Sequence, residues 1–327
     1  MLLGEERIID LFRPLARHPG AFGLIDDCAA VTPPPGTDLV LKADAIVGGV
    51  HFFNDDPAGE IARKALRVNL SDLAAKGAAP IGFLLTLALP GDIALAWVAA
   101  FAQGLGEDAA YYACPLLGGD TVKTPGPVTV SIAVFGSVPR GTMVKRSGAK
   151  AGDRVMVSGT IGDAALGVRL CRDATLANRW GLSAAQVQHL TGRYRLPQPR
   201  NAAAEAFRQF ANGGMDISDG LAGDLDKLCR ASGVAATIHA ERVPLSEAAR
   251  AALLADPSLV EPILTGGDNY EILATVEDAK VAALRAAAQA AGVTLTEIGR
   301  IAGGAGVQVL GGDGKVLIFK QASYSHF

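Results

Sequence analysis

Seven aspartates mark the chemistry open to this chain: Asp26 and Asp27 in GLIDDCAAV (23–31), Asp44 in KADAIVGGVHF (42–52), Asp72 in ALRVNLSDLAAKGAAP (65–80), Asp120 in LLGGDT (116–121), and Asp216 and Asp219 in GMDISDGL (214–221). Each falls at an expected strand end, a glycine turn or the apolar face of a helix, where a carboxylate loses hydration. The adjacent Asp26 and Asp27 also repel one another, and a cation offsets both effects. Hard oxygen donors in number, with no histidine or cysteine cluster, point to Mg²⁺ held by a few carboxylates together with substrate phosphates. Polyphosphate chemistry is the implication. The chain has no Ser-His-Asp spacing and no G-x-x-x-x-G-K-[ST] phosphate loop.

Each aspartate also has a plainer reading. Projected at about 100° per residue, residues 61–76 put Arg63, Lys64, Arg67 and Ser71 on one arc and Ile61, Ala62, Ala65, Leu66, Val68, Leu70 and Leu73 on the rest. Asn69 and Asp72 fall inside the apolar arc, so Asp72 meets a cation, faces a wet cleft, is protonated, or pairs with Lys76 one turn on. In GMDISDGL, Met215 and Ile217 alternate with Asp216 and Ser218, and Asp219-Gly220 turns into a helix striped by Leu221, Leu225 and Leu228. Ser218 or Asp219 could be no more than its N-cap. LLGGDT reads as a turn whose bare N–H groups approach phosphate oxygens while Asp120 holds a metal, and LTGGDNYEI (264–272) reads as a second such turn. GTIGDAALG (159–167) could cradle phosphate, but without a lysine it reads better as a packing turn.

The elements that must position these groups are those of an α/β protein. At 327 residues the chain should form two domains, and the polar, glycine-bearing KRSGAKAGD sets the boundary near 148, giving 1–148 and 149–327. Strands are expected at 38–47, 81–90 and 128–138, with helices at 58–77 and 92–112. The second half should carry a helix at 200–211, a strand-to-helix junction at 214–231, a strand at 234–239, a helix at 246–255, and strands at 271–276 and 307–319 separated by a helix at 277–291. A formal charge of −3 provides no broad positive field for nucleic acid or anionic lipid. The acidic start MLLGEERIIDLF and the short apolar runs predict a cytoplasmic protein without a membrane span. Cys28, Cys114, Cys171 and Cys229 lack ligand spacing and read as buried small apolar residues.

Taken in order, GLIDDCAAV, KADAIVGGVHF, ALRVNLSDLAAKGAAP, LLGGDT, KRSGAKAGD, DISDGL, TGGDNYEI and the closing YSHF resemble the thiamine-monophosphate kinase family of the aminoimidazole ribonucleotide synthetase-like superfamily. The resemblance covers nearly the whole chain. It implies a two-domain α/β (α+β) fold whose N-terminal sheet and helices bind ATP and Mg²⁺ and pair into a dimer barrel, with a C-terminal α/β domain completing the active site. It implies transfer of the γ-phosphoryl group of ATP to thiamine monophosphate. By that likeness Asp27, Asp44, Asp72, Asp120, Asp216 and Asp219 ligate several Mg²⁺ ions, with Asp26 in support. Gly119, Asp120, Arg146 and Ser218 contact ATP, and His51, Asp268 and Tyr324 line the thiamine phosphate site. His51 could instead be a satisfied core histidine, and Tyr324 an anchor for the C-terminus.

The attacking phosphate oxygen is already ionised, because a phosphomonoester has a second pKa of about 6, so no residue is needed as general base. Three positions depart from the family pattern. Lys42-Ala43 replaces two hydroxyl residues, which makes Lys42 a candidate phosphate contact that substitutes for part of one metal's charge. Asp268-Asn269 stands for Glu-Asp, and Ile25 for a glycine. A purine-pathway amidine synthetase and a non-catalytic thiamine-phosphate or nucleotide sensor are the alternatives.

Overall fold

Runs that alternate β-branched residues with small or polar ones lie naturally in a sheet covered on one face. A computed structural model, which describes residues 5–321, 323 and 324, shows this in the first half of the chain. Two compact units divide the fold: one runs to Leu73 and again over Ala78–Thr142, and the other takes Ala74–Gly77 and the chain from Met143 on.

The first unit holds α1 (Glu5–Phe12), β1 (Thr37–Val47), α2 (Ala58–Ala75, its last residues in the second unit), β2 (Ala79–Pro90), α3 (Leu95–Tyr111), β3 (Leu116–Thr124) and β4 (Thr129–Pro139). Its four-stranded sheet has the order β1-β4-β2-β3, with β2 and β3 parallel and the other pairs antiparallel. One face, including Val40, Ile46, Leu85, Leu87, Ile132 and Val134, shares a core with Leu66 and Leu70 of α2 and Phe101 and Leu105 of α3. The opposite face leaves Leu39, Leu41, Leu84 and Val122 exposed.

LLGGDT is not a turn; it forms the first two-thirds of strand β3. Gly119 serves strand packing, since a Cβ there would stand 1.9 Å from the Leu85 carbonyl oxygen. The polar arc of α2 is only partly open to water: Lys64 and Ser71 are buried, and Arg67 pairs with Asp108 at 2.5 Å.

The second unit contains β5 (Arg154–Ser158), α4 (Asp163–Arg172), α5 (Leu176–Arg179), α6 (Ala184–Arg195), α7 (Ala204–Phe210), β6 (Ala211–Asp216), α8 (Leu221–Ser232), β7 (Ala235–His239), α9 (Glu247–Ala255), α10 (Val260–Thr265), β8 (Ile272–Val276), α11 (Val281–Ala290), β9 (Leu295–Ala302) and β10 (Gly306–Leu310). Its six-stranded sheet runs β10-β7-β9-β5-β8-β6, with only the β10–β7 pair parallel. The strand expected over 307–319 stops at Leu310, because Gly311–Gly314 closes a turn through the Gly314 N–H to Gly311 carbonyl bond of 2.9 Å. Cys114 and Cys229 are buried as expected, and burial pushes the Cys114 thiol up to about 12. Cys28 is exposed, which corrects the reading of all four as core residues. Among the described residues no helix is long and apolar enough to cross a membrane.

Asp163, the first residue of α4, ties three segments together: it accepts from Thr160 Oγ1 at 2.6 Å, Ser246 Oγ at 2.5 Å and His189 Nε2 at 3.1 Å. Burial alone would raise its pKa, but these hydrogen bonds together lower it. The bond to Asp163 raises the His189 pKa, against the effects of burial and Arg193. A raised folded-state value means the imidazolium stabilises fully below the unfolded value of about 6.5, and that this contribution fades as pH rises through the folded value. The melting-temperature gap between the native chain and His189→Ala should therefore be widest near about pH 5.5 and narrow toward about pH 9. A gap that stays constant or widens with pH refutes this.

Candidate functional site

The apolar-arc position of Asp72 resolves into an ion pair, with Lys42 rather than Lys76. Lys42 and Asp44 project from the helix-covered face of β1, and Lys42 Nζ stands 2.9 Å from Asp72 Oδ2 and 3.2 Å from Asp44 Oδ1. Burial alone would lower the lysine pKa, but Asp72 and Asp44 outweigh it and raise it. Lys76 instead donates to the Gly214 carbonyl at 2.8 Å, within the second unit. Asn69, fully buried, accepts the Asp44 N–H at 3.0 Å and donates to the Ala65 carbonyl at 2.9 Å. The two polar residues in the apolar arc of α2 thus hold β1 at Asp44.

Asp26 and Asp27 sit on an exposed loop, so the loss of hydration expected for them does not occur. Both line a cleft of about 830 Å³ together with Gly118, Gly119, Asp120 and Thr121 of β3. Its apolar wall includes Leu24, Leu39, Leu84 and Phe135. Asp120 is paired with Thr86 and so projects from the open face of the sheet, opposite to the face that carries Asp44. Within this unit the candidate ligands therefore form two sets, Asp27 with Asp120 and Asp44 with Asp72. His51 accepts the Val47 N–H on Nδ1 at 3.0 Å, which leaves the ring hydrogen on Nε2. The His51 carbonyl receives the ammonium of the buried Lys64 at 2.9 Å.

In the second unit the two aspartate-rich motifs dock on each other through their backbones. The Asp268 N–H donates to the Ser218 carbonyl, the Tyr270 N–H to Ile217, and the Ile217 N–H to Glu271, each at 2.8 Å. The Tyr324 N–H donates to the Asp219 carbonyl at 2.9 Å, so the C-terminal segment joins the same cluster with its ring half exposed. Asp216 is buried at the end of β6. Neither Ser218 nor Asp219 caps α8: the N-cap is Gly220, whose φ of 122° suits only glycine. The Asp219 carboxylate receives Lys227 at 2.5 Å, and the same ammonium reaches the buried Asp224 at 2.8 Å. Arg146 is exposed on a short turn, and Ser232 Oγ donates to its carbonyl at 3.0 Å.

Sequence reading passed over Glu271, which is fully buried and accepts from Arg193 Nη2 at 2.8 Å, Arg200 Nε at 2.7 Å and Ser158 Oγ at 2.6 Å. Its partners lie 71 to 113 residues away, so no local spacing announces them. GTIGDAALG is a packing turn, in which the Gly162 N–H donates to Asn269 Oδ1 at 2.7 Å.

Among the described residues no three His, Cys, Asp or Glu side chains stand together as a ready-made metal cage. The donors present are carboxylate oxygens in twos, two of these pairs bridged by a lysine that offsets half of their charge. That donor set fits Mg²⁺, which takes one or two protein carboxylates and completes its shell with phosphates and water.

Residues 25–138 match the family model of the AIR synthase related protein N-terminal domain, and residues 150–311 that of the AIR synthase related protein C-terminal domain. The thiamine-monophosphate kinase of Caulobacter vibrioides is 44% identical over 306 residues, covering 92% of this chain and 85% of that protein. The crystal structure of thiamine-monophosphate kinase from Stenotrophomonas maltophilia K279a aligns with a TM-score of 0.85 at 38% identity, covering 97% of this chain and 99% of that one. AaThiL complexed with AMPPCP and TMP aligns with a TM-score of 0.78 at 31% identity, covering 99% and 97%.

Proposed function

The chain belongs to the thiamine-monophosphate kinase family of AIR synthase related proteins, and from that premise we propose that it transfers the γ-phosphoryl group of ATP to thiamine monophosphate, forming thiamine diphosphate and ADP. The observation that carries this reading is the cleft of the first unit, where an apolar wall suited to a purine ring meets Asp27, Gly119 and Asp120 at one opening. The likeness to AaThiL complexed with AMPPCP and TMP supports it.

Both reactants are polyanions, so the site's task is electrostatic. Asp27, Asp44, Asp72, Asp120, Asp216 and Asp219 would hold Mg²⁺ ions. When bound, Mg²⁺ supplies charge neutralisation between the two sets of phosphates and stabilises an in-line, loosely bonded transition state. The backbone at Gly119 would admit phosphate oxygens without steric hindrance, and the exposed Arg146 guanidinium and Ser218 would add donors to ATP. His51, with its hydrogen on Nε2, is a donor for the thiamine phosphate; Asp268 and Tyr324 line the same substrate. The Lys42 ammonium already stands between Asp44 and Asp72, so it would substitute for part of one metal's charge there. A second copy of the chain would cover the apolar open face at Leu41 and Val122, outside the cleft, giving a homodimer.

Three measurements test this reading. With ATP, Mg²⁺ and thiamine monophosphate the chain should release thiamine diphosphate and ADP, and Asp72→Asn or Asp120→Asn should lower kcat by about 100-fold or more with the circular dichroism unchanged. Absence of product from the native chain, or near-normal rates in both variants, refutes it. Counting Mn²⁺ by electron paramagnetic resonance with a non-hydrolysable ATP analogue should show one more ion per chain in Lys42→Met than in the native protein; equal counts dispose of the Lys42 role. Light scattering should give twice the single-chain mass of 33.6 kDa, and Leu41→Glu should halve it; a monomeric native chain removes the dimer.

A further inference from the structure

The loop that carries Asp268 holds two non-glycine residues in the left-handed region, Asp268 at φ 62° and Tyr270 at φ 51°. This region is disfavoured for a residue with a Cβ, and the conformation persists only where its surroundings over-determine it. Backbone bonds to Ile217 and Ser218 fix one side of the loop. Asn269 pins its middle, accepting from the Gly162 N–H at 2.7 Å and donating to the Gly266 carbonyl at 2.9 Å.

Glu271 pins the far end. Its carboxylate is fully enclosed by Arg193, Arg200 and Ser158, and Ser158 Oγ in turn accepts the Ile272 N–H at 2.7 Å. Gly159 completes the enclosure, since a Cβ there would stand 2.2 Å from Glu271 Oε1. Two guanidinium groups converge on this one carboxylate, so Glu271 cannot rotate out without stripping both of a shared partner. The backbone of Asp268, three residues upstream, is thereby held, and its carboxylate is complementary to the permanently cationic thiazolium ring of thiamine.

We propose that Glu271, clamped by Arg193, Arg200 and Ser158, is a positioning residue that holds the strained 266–270 loop so that Asp268 meets the thiamine substrate. This rests on the substrate role of Asp268 in the kinase reading. Glu271 touches neither reactant; it acts through the loop.

The test compares Ser158→Ala, Glu271→Gln and Asn269→Ala in the full chain. Ser158→Ala leaves the buried charges unchanged and removes only the hydroxyl link, so it remains informative even if Glu271→Gln does not fold. The expected result is a KM for thiamine monophosphate raised about tenfold, with kcat at saturation within threefold of the native value and KM for ATP within twofold. A purely structural role would lower the melting temperature and leave that KM alone. Folded Ser158→Ala and Asn269→Ala proteins with the native KM for thiamine monophosphate overturn the proposal while the kinase reading stands. Failure of the native chain to phosphorylate thiamine monophosphate brings down the kinase reading, and this inference with it.

Discussion

Mutual repulsion between carboxylates is the constraint around which this protein is organised. Aspartates brought close together must have a cation to offset their repulsion, and the fold supplies one with lysines. Lys42 stands between Asp44 and Asp72, and Lys227 between Asp219 and Asp224. In both cases the ammonium's pKa is raised, because the paired acids outweigh the cost of burial. Each acid pair keeps a net negative charge, two carboxylates against one ammonium.

The scaffold follows from how those pairs must be held. Asp44 is steady because its N–H is taken by Asn69, and Asn69 is steady because its amide also bonds one turn back along α2. The helix therefore tolerates two polar residues in its apolar arc; both are spent on β1. On the other face of the sheet the requirement is the reverse. Gly118, Gly119 and Asp120 lie beside an open cleft on an edge strand, and the missing side chain of Gly119 lets β3 approach β2 more closely than any other residue would permit.

This division explains what the sequence made legible. Strands β1, β2 and β4 and helices α2 and α3 were readable because burial on one face imposes a period on the residues. The oddity of Asn69 and Asp72 was readable for the same reason, since they break that period. The burial of Lys64 was not legible, because its ammonium is satisfied by a carbonyl 13 residues away, which no helical projection contains. LLGGDT was misread as a turn because glycine permits two things, a reversal of the chain and a close strand contact, and local sequence does not separate them. Lys42 and Asp72 lie 30 residues apart, so only the paired elements reveal their contact.

The second unit shows the same limit in its strongest form. Asp216, Ser218 and Asp268 could be singled out because polar residues interrupt apolar runs beside glycines. What makes them a unit is the exchange of backbone hydrogen bonds between 217–218 and 268–271, and backbone groups carry no residue identity to read. Glu271 is the converse case: its identity is visible, yet its meaning depends on Arg193, Arg200 and Ser158 arriving from three separate segments. A buried carboxylate with two arginines is costly unless its geometry is used, because apolar residues of similar volume would stabilise the same space at least as well. Here the geometry is used, for the clamp closes next to two strained residues in a loop that would otherwise relax.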